Sequence, residues 1–256
     1  MNTKPLIALF VFVIFISTNI HAQARVAFVA ARSGLSIREK PAVNATVLGK
    51  IPYGTKVNII EAGEEMVPIV TEGLSGYWEK VTYNNKTGYI VNSYLLPVAP
   101  PKLAVVKEMK DYFKQVYQPF GARLVVSSGE KNNIEEGGYE NQKQLYKNGA
   151  EWHRFLGYEY GSDTWFLPNF SVAQGFLLLR LIPEFKTVFN ETAEFPTESK
   201  TFKKGEIEFR ITVEKEMLGD SPWYKKIHIE FEEGAFYTLD IFQLENDLVI
   251  FYGSGV

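Results

Sequence analysis

The chain reads as mainly β in two parts, a small β-barrel followed by an α+β domain with an antiparallel sheet and two helices. Three observations predict this. Apolar residues recur at spacing two between residues 35 and 90, broken by Gly, Pro and Asn turns. Prolines at 97, 100 and 101 then mark a boundary. Beyond it, two stretches of helical spacing precede a series of longer alternating strands.

The first 24 residues carry an address rather than a fold. Lys4 precedes an apolar run over 6–16, followed by Ser17-Thr18-Asn19 and Ala22-Gln23-Ala24. A charged start, an apolar centre and a small-x-small site predict a secretory signal peptide. The run is well short of the roughly 20 apolar residues that span a bilayer, so an integral membrane protein is not expected. No cysteine follows it, which excludes lipid anchoring at that position. A soluble periplasmic or extracellular protein beginning near Gln23 or Arg25 is expected.

Residues 25–97 are expected to form the barrel. Leu35/Ile37, Val57/Ile59 and Val81/Tyr83 have the period of half-buried strands. Pro41, Asn44, Gly49, Gly54, Asn84-Asn85 and Gly88 fall between them, where turns need preset or positive φ. Short strands at this spacing suit a barrel, in which closure removes exposed edges. The motif order is specific as well: Gly34-Leu35-Ser36-Ile37-Arg38, then Gly54-Thr55-Lys56-Val57, then Trp78 before Lys80-Val81, then Gly88-Tyr89-Ile90.

In that order, residues 31–96 resemble the bacterial Src-homology-3 domain. The resemblance implies an SH3-like barrel that binds cell-wall peptide, polysaccharide or a protein segment through rim loops and aromatics. Trp78, Tyr83 and Tyr89 stand at the family's aromatic positions, and Tyr53, Tyr77 and Tyr94 add to them. Trp78 and Tyr89 are expected in the barrel's packing, whereas Tyr53 and Tyr77 flank turns and are expected in solvent. One departure is the segment 61–77, longer than the family's usual hairpin and long enough to lay a ribbon over one barrel face.

Residues 98–101 read as a Pro-rich linker that separates two cores, and 102–256 as an α+β domain resembling no family. Leu103, Val106, Met109, Phe113 and Val116 predict a helix stopped by Pro119 and Gly121. A strand at 123–127 and a polar loop at 128–141 follow. Asn148-Gly149 between apolar segments predicts a type I′ hairpin turn. Ser171 with Gln174 is a capping box, so a buried helix is expected over 172–182, ended by Pro183. A meander closes the chain at 205–215, 224–232, 235–244 and 248–252, with Ile227, Ile229 and Phe231 facing inward and His228 on the wet face.

Composition narrows the chemistry. Residues 25–98 hold eight Lys/Arg against six Asp/Glu, and 99–256 hold eighteen against twenty-four. That balance lacks the concentrated basic face of a nucleic-acid binder. The absence of cysteine removes disulfides, thiol nucleophiles and thiolate metal sites. His153 and His228 are far apart in sequence and lack zinc-hydrolase spacing, so no metal or cofactor is expected. Asp220-Ser221-Pro222 reads as a turn and not as a nucleophile elbow. Glu135, Glu136 and Glu140 sit in a polar loop with nothing apolar to separate an acid from a base.

The densest constellation is aromatic: Tyr158, Tyr160, Trp165, Phe166 and Phe170, with Asp163, Asn169 and Arg154 nearby. Such rings either pack the second core or stack on a sugar or peptide. Tyr158 and Tyr160 are expected on one strand face, with Trp165 and Phe166 on opposite faces. The candidate binding residues are therefore Tyr53, Tyr77, Trp78, Tyr83, Tyr89, Trp165, Tyr158 and Tyr160, with no catalytic set. The expected function is that of a non-catalytic envelope protein binding wall material or a periplasmic protein. The alternative is a wall hydrolase whose catalytic domain is targeted by the barrel. Export is directly testable: N-terminal sequencing of protein from its native host should show a start near Gln23 or Arg25, and a retained Met1 would refute it.

Overall fold

The computed structural model describes residues 25–60, 66–128, 137–189, 193–219 and 221–256. The expected signal peptide over residues 1–24, Glu135, Glu136 and Asp220 lie outside the described residues, as does the first part of the 61–77 segment.

Eight strands make the first unit: β1 (Arg25–Val29), β2 (Leu35–Arg38), β3 (Val47–Ile51), β4 (Lys56–Ile59), β5 (Pro68–Thr71), β6 (Leu74–Tyr83), β7 (Lys86–Val91) and β8 (Leu95–Leu96). Their order is β3-β2-β7-β6-β4-β1-β8, with β5 paired to β6 alone. Alternation drives the barrel core, since Val29, Ile37, Ile51, Val57, Ile59, Val81 and Ile90 are buried while their strand neighbours face out. Strand β6 is ten residues long. From Trp78 onward it pairs with β7, whereas Leu74 to Tyr77 pair with β5. The long segment therefore builds a ribbon, whose tip Glu72-Gly73 has φ of 52° and 75° at both turn positions. This is the twist-matched geometry of a two-residue type I′ hairpin.

The second unit is one antiparallel sheet of nine strands. It comprises β9 (Pro119–Ser128), β10 (Tyr139–Tyr146), β11 (Glu151–Gly157), β12 (Tyr160–Pro168), β13 (Lys200–Lys204), β14 (Ile207–Leu218), β15 (Ser221–Glu232), β16 (Phe236–Leu244) and β17 (Asp247–Gly255). The order is β13-β14-β15-β16-β17-β12-β11-β10-β9. Register threads one apolar row across it, from Val213 through Ile227, Ile241, Ile250 and Trp165 to Trp152. Helices α1 (Met109–Val116) and α2 (Val172–Leu179) pack into the core that this face supplies. The reverse face is mixed, with exposed Leu124 and Val126 on β9 and, farther along, His228 Nδ1 2.7 Å from Asp240 and His153 2.8 Å from Glu151. Helix α2 lies so close that a Cβ on Gly175 would come within 2.4 Å of Leu248 Cδ2. Edge strand β13 is blunted by exposed Lys200, Lys203 and Lys204, which discourages pairing with another chain.

The two units share a core. Ala30, Leu74 and Leu96 of the barrel belong to the same buried cluster as Phe176, Leu178 and Phe195. Between the units, Pro100 and Pro101 are buried instead of forming an open spacer. Their carbonyls accept hydrogen bonds from Gln115 Nε2 at 2.9 Å and Tyr53 Oη at 2.8 Å.

Several local expectations are revised. Helix α1 starts at Met109 and not near Leu103, because extended Glu108 and Asp111 form a capping box there. Helix α2 has its predicted Ser171–Gln174 box but ends at Leu179, and Pro183 opens a separate 3-10 turn. At Asn148-Gly149 only the glycine has positive φ, and Tyr146 N–H donates to Ala150 across it, the arrangement of a three-residue loop with a glycine bulge. Strand β9 begins at Pro119 and β10 at Tyr139, so both are longer than expected. Ser221 and Pro222 start β15 and are not a turn. Tyr158 occupies the β11–β12 turn while Tyr160 opens β12, so the pair shares no strand face.

Because the core is continuous, the chain should melt in one calorimetric transition. Leu74 is fully buried at the junction, and Leu74→Ala should cost about 2–5 kcal/mol. Two separate transitions in the unmodified protein would show that the units fold independently.

Candidate binding cleft between barrel and sheet

A cleft of about 460 Å³ opens where the β1–β2 loop, the β5–β6 ribbon and the end of α2 meet. Its volume is in the range of small-ligand sites. The apolar wall includes Trp78, Val91 and Leu181, and the polar groups are Arg32, Arg38, Arg180, Glu72 and Tyr94.

Each charge is positioned by local structure. Arg38 ends β2 and donates from Nη1 to the Ala45 carbonyl at 2.8 Å. Arg180 caps the C-terminus of α2, after a run of buried leucines, and its side chain is only 7% exposed. It donates from Nη1 to Glu72 Oε2 at 2.9 Å and to the Ala193 carbonyl at 2.6 Å. Its Nε is buried without a partner among the described residues. Glu72 presents its carboxylate because the ribbon turn presents it. The same residue's carbonyl accepts from Phe195 N–H at 2.9 Å, and a Cβ on Gly73 would come within 2.5 Å of the Phe195 carbonyl. Only glycine fits there. Tyr94 also stands beside Glu72; burial, then that carboxylate, pushes its hydroxyl up to about 12.

Glu72 is thus spoken for by Arg180. The cleft's lining otherwise contributes positive groups and a tryptophan, so it favours an anionic ligand with an apolar part. A guanidinium fork matches a carboxylate in two parallel hydrogen bonds.

Of the sequence-predicted residues, Trp78 lines this cleft and is 8% exposed. Tyr53 is half-buried against the shared core, with burial holding its hydroxyl well above the usual tyrosine range, contrary to the expected solvent-facing position. Tyr77 is half-buried at the ribbon's base, where its N–H donates to Asn92 Oδ1 at 2.8 Å. Tyr83 packs against the barrel core, and Tyr89 lies under the Lys80 ammonium at 5.6 Å. Trp165 is a core residue at the edge of Phe185. Tyr158 and Tyr160 are exposed at the end of β12 opposite the one that leads to α2, so the cleft and this pair do not meet. Arg32, Glu72 and Arg180 carry the cleft and were not candidates, while Tyr94, named only among the added aromatics, joins them. The available signals were the Glu72-Gly73 pair and a lone arginine closing an apolar helix.

Residues 33–95 match the family model of the bacterial SH3 domain. No curated protein and no solved structure matches the chain.

The most perturbed described carboxyl lies away from the cleft. Glu184 accepts from Met109 N–H at 2.8 Å, and burial, opposed by that hydrogen bond, pushes it from 4.5 to about 7. Its protonated form is thus favoured in the folded state. The group's stabilising contribution is full below about pH 4.5 and is lost as pH rises to about 7. The difference is about 3 kcal/mol. Glu184→Gln keeps an acceptor for Met109 and removes the titration. The unmodified protein's Tm should therefore fall relative to that variant across this window, and parallel Tm profiles would refute the assignment.

Proposed function

We propose that the protein is an exported, non-catalytic envelope protein that captures acidic segments of cell-wall peptide in the cleft between barrel and sheet. The observation that carries this reading is the convergence of Arg32 and Arg38 beside Trp78 on the loop side of a bacterial SH3 domain. Guanidinium groups suit peptide carboxylates, and the indole supplies contact area for the apolar part. Domains of this family have a binding role, often towards the cell wall, which fits a chain that opens with a secretion-type segment. Glu72 is the carboxylate of the cleft, and Arg180 holds it in an anchoring role rather than that of a general base. No helix among the described residues is long and apolar enough to cross a membrane.

Purified mature protein should co-sediment with peptidoglycan sacculi without releasing soluble fragments. Arg32→Glu reverses a charge at an exposed position of the cleft. It should weaken capture about tenfold or more, which corresponds to 1.4 kcal/mol, with little change in Tm. Trp78→Ala should weaken capture too, but at a stability cost of about 3–5 kcal/mol. Absence of retention at low salt would refute wall binding. Release of muropeptides, abolished by a single Asp or Glu substitution, would instead establish a hydrolase.

A further inference from the structure

The two edges of the nine-stranded sheet are finished differently. Strand β13 closes one edge behind three exposed lysines, whereas β9 closes the other and, among the described residues, pairs with β10 alone. Alternate residues of an edge strand turn their N–H and C=O groups outward, where another strand can pair with them. Every residue of β9 from Pro119 to Ser127 is exposed. Its first half is blunted by Pro119 and by a bulge, in which Gly121 has φ of 72° and residues 121–123 stand opposite Gln144.

The second half has no such guard. From Leu124 onward the register with β10 is regular, and Leu124, Val125 and Val126 are each more than half exposed. Arg123, the only charge between 119 and 128, is turned back over its own sheet. Its guanidinium lies 4.8 Å over the Trp152 ring, and Nη1 is 3.2 Å from Gln142 Oε1. Leu124 and Val126 share the reverse face of the sheet with Phe155, whose ring lies 6.2 Å from Tyr139 and 5.9 Å from Tyr160. Both tyrosines are exposed, so an apolar strip runs inward from an open edge.

We propose that β9 pairs antiparallel with β9 of a second copy of this chain, about a twofold axis at Val125. The strand's own sequence is complementary to itself in that register. Val125 meets its own copy, Leu124 meets the partner's Val126, and Arg123 meets the partner's Ser127, so no like charges are opposed. An axis at Leu124 or at Val126 would instead set Val125 against Arg123 or Ser127. Because the axis runs perpendicular to the sheet, both reverse faces lie on one side and the two apolar strips join across it. The contact uses none of the residues that line the cleft beside the barrel and does not rest on wall binding there.

Sedimentation equilibrium of the mature chain should show a reversible dimer with a dissociation constant in the micromolar range. Leu124→Glu alone and Val126→Lys alone should each weaken it about tenfold or more, with little change in Tm because both side chains are exposed. The double variant should recover the dimer, since each introduced carboxylate then meets an introduced ammonium across the axis. The chain has no cysteine, so Val125→Cys places a lone thiol at the axis. Opposed Cα atoms about 4.5–5.5 Å apart are within disulfide reach, and mild oxidation should link two chains there. Val70→Cys, exposed on the β5–β6 ribbon, should link far more slowly. Arg32→Glu should leave self-association unchanged. A monomer at every concentration would overturn the proposal and leave the edge to a strand of another protein. A dimer indifferent to both single substitutions, or a double variant as weak as the single ones, would overturn it as well.

Discussion

The ribbon tip at Glu72-Gly73 ties the two units together, and most of what distinguishes this chain follows from that contact. Its backbone pairs with Phe195, its glycine admits the Phe195 carbonyl at a distance no Cβ would allow, and its carboxylate meets Arg180. Leu74, the next residue, is fully buried in the sheet's core. Arg180 is the more buried member of the ion pair, with side-chain exposure of 7% against 42% for Glu72. A guanidinium withdrawn from water in this way needs several acceptors, and the Ala193 carbonyl joins Glu72 in supplying them. The contact is therefore one of orientation as well as energy. It sets the angle at which barrel loops and helix end face one another, and the 460 Å³ cleft is the space left between them.

The cleft beside the barrel is basic despite an acidic overall composition. Arg38 there rests on the Ala45 carbonyl rather than on a carboxylate. Neutral partners orient a cation without cancelling its field, so the site keeps its attraction for anions. Counting charges along the sequence therefore does not reveal a local basic cleft.

Much of the fold was legible because its causes are local. The alternation Ile227, Ile229, Phe231 placed β15 with one face inward, and all three are buried. Ser171 and Gln174 formed the capping box that their spacing requires. Asn84-Asn85 took positive φ at both positions, as a two-residue turn demands. The errors were local as well, and instructive. Apolar spacing extended α1 back to Leu103, but periodicity does not say where a helix begins; the Glu108–Asp111 cap does. Asn148-Gly149 satisfied a pattern for type I′, yet one extra loop residue shifted the pairing to a glycine bulge.

The candidate cleft was barely legible, for a physical reason. The sequence by itself determined strands, turns, caps and the SH3-type motif, since each depends on dihedral preferences or apolar periods spanning a few residues. It also marked 61–77 as an addition, though not its purpose. Only the tertiary structure decided that this addition docks on the sheet, that Tyr53 is half-buried against the shared core with its hydroxyl on Pro101, and that Arg32, Glu72 and Arg180 converge. Residues 108 positions apart, such as Glu72 and Arg180, share no local constraint. Their meeting depends on how two cores close against each other, and that is settled by burial of Leu74, Leu96 and Phe195 across the whole chain.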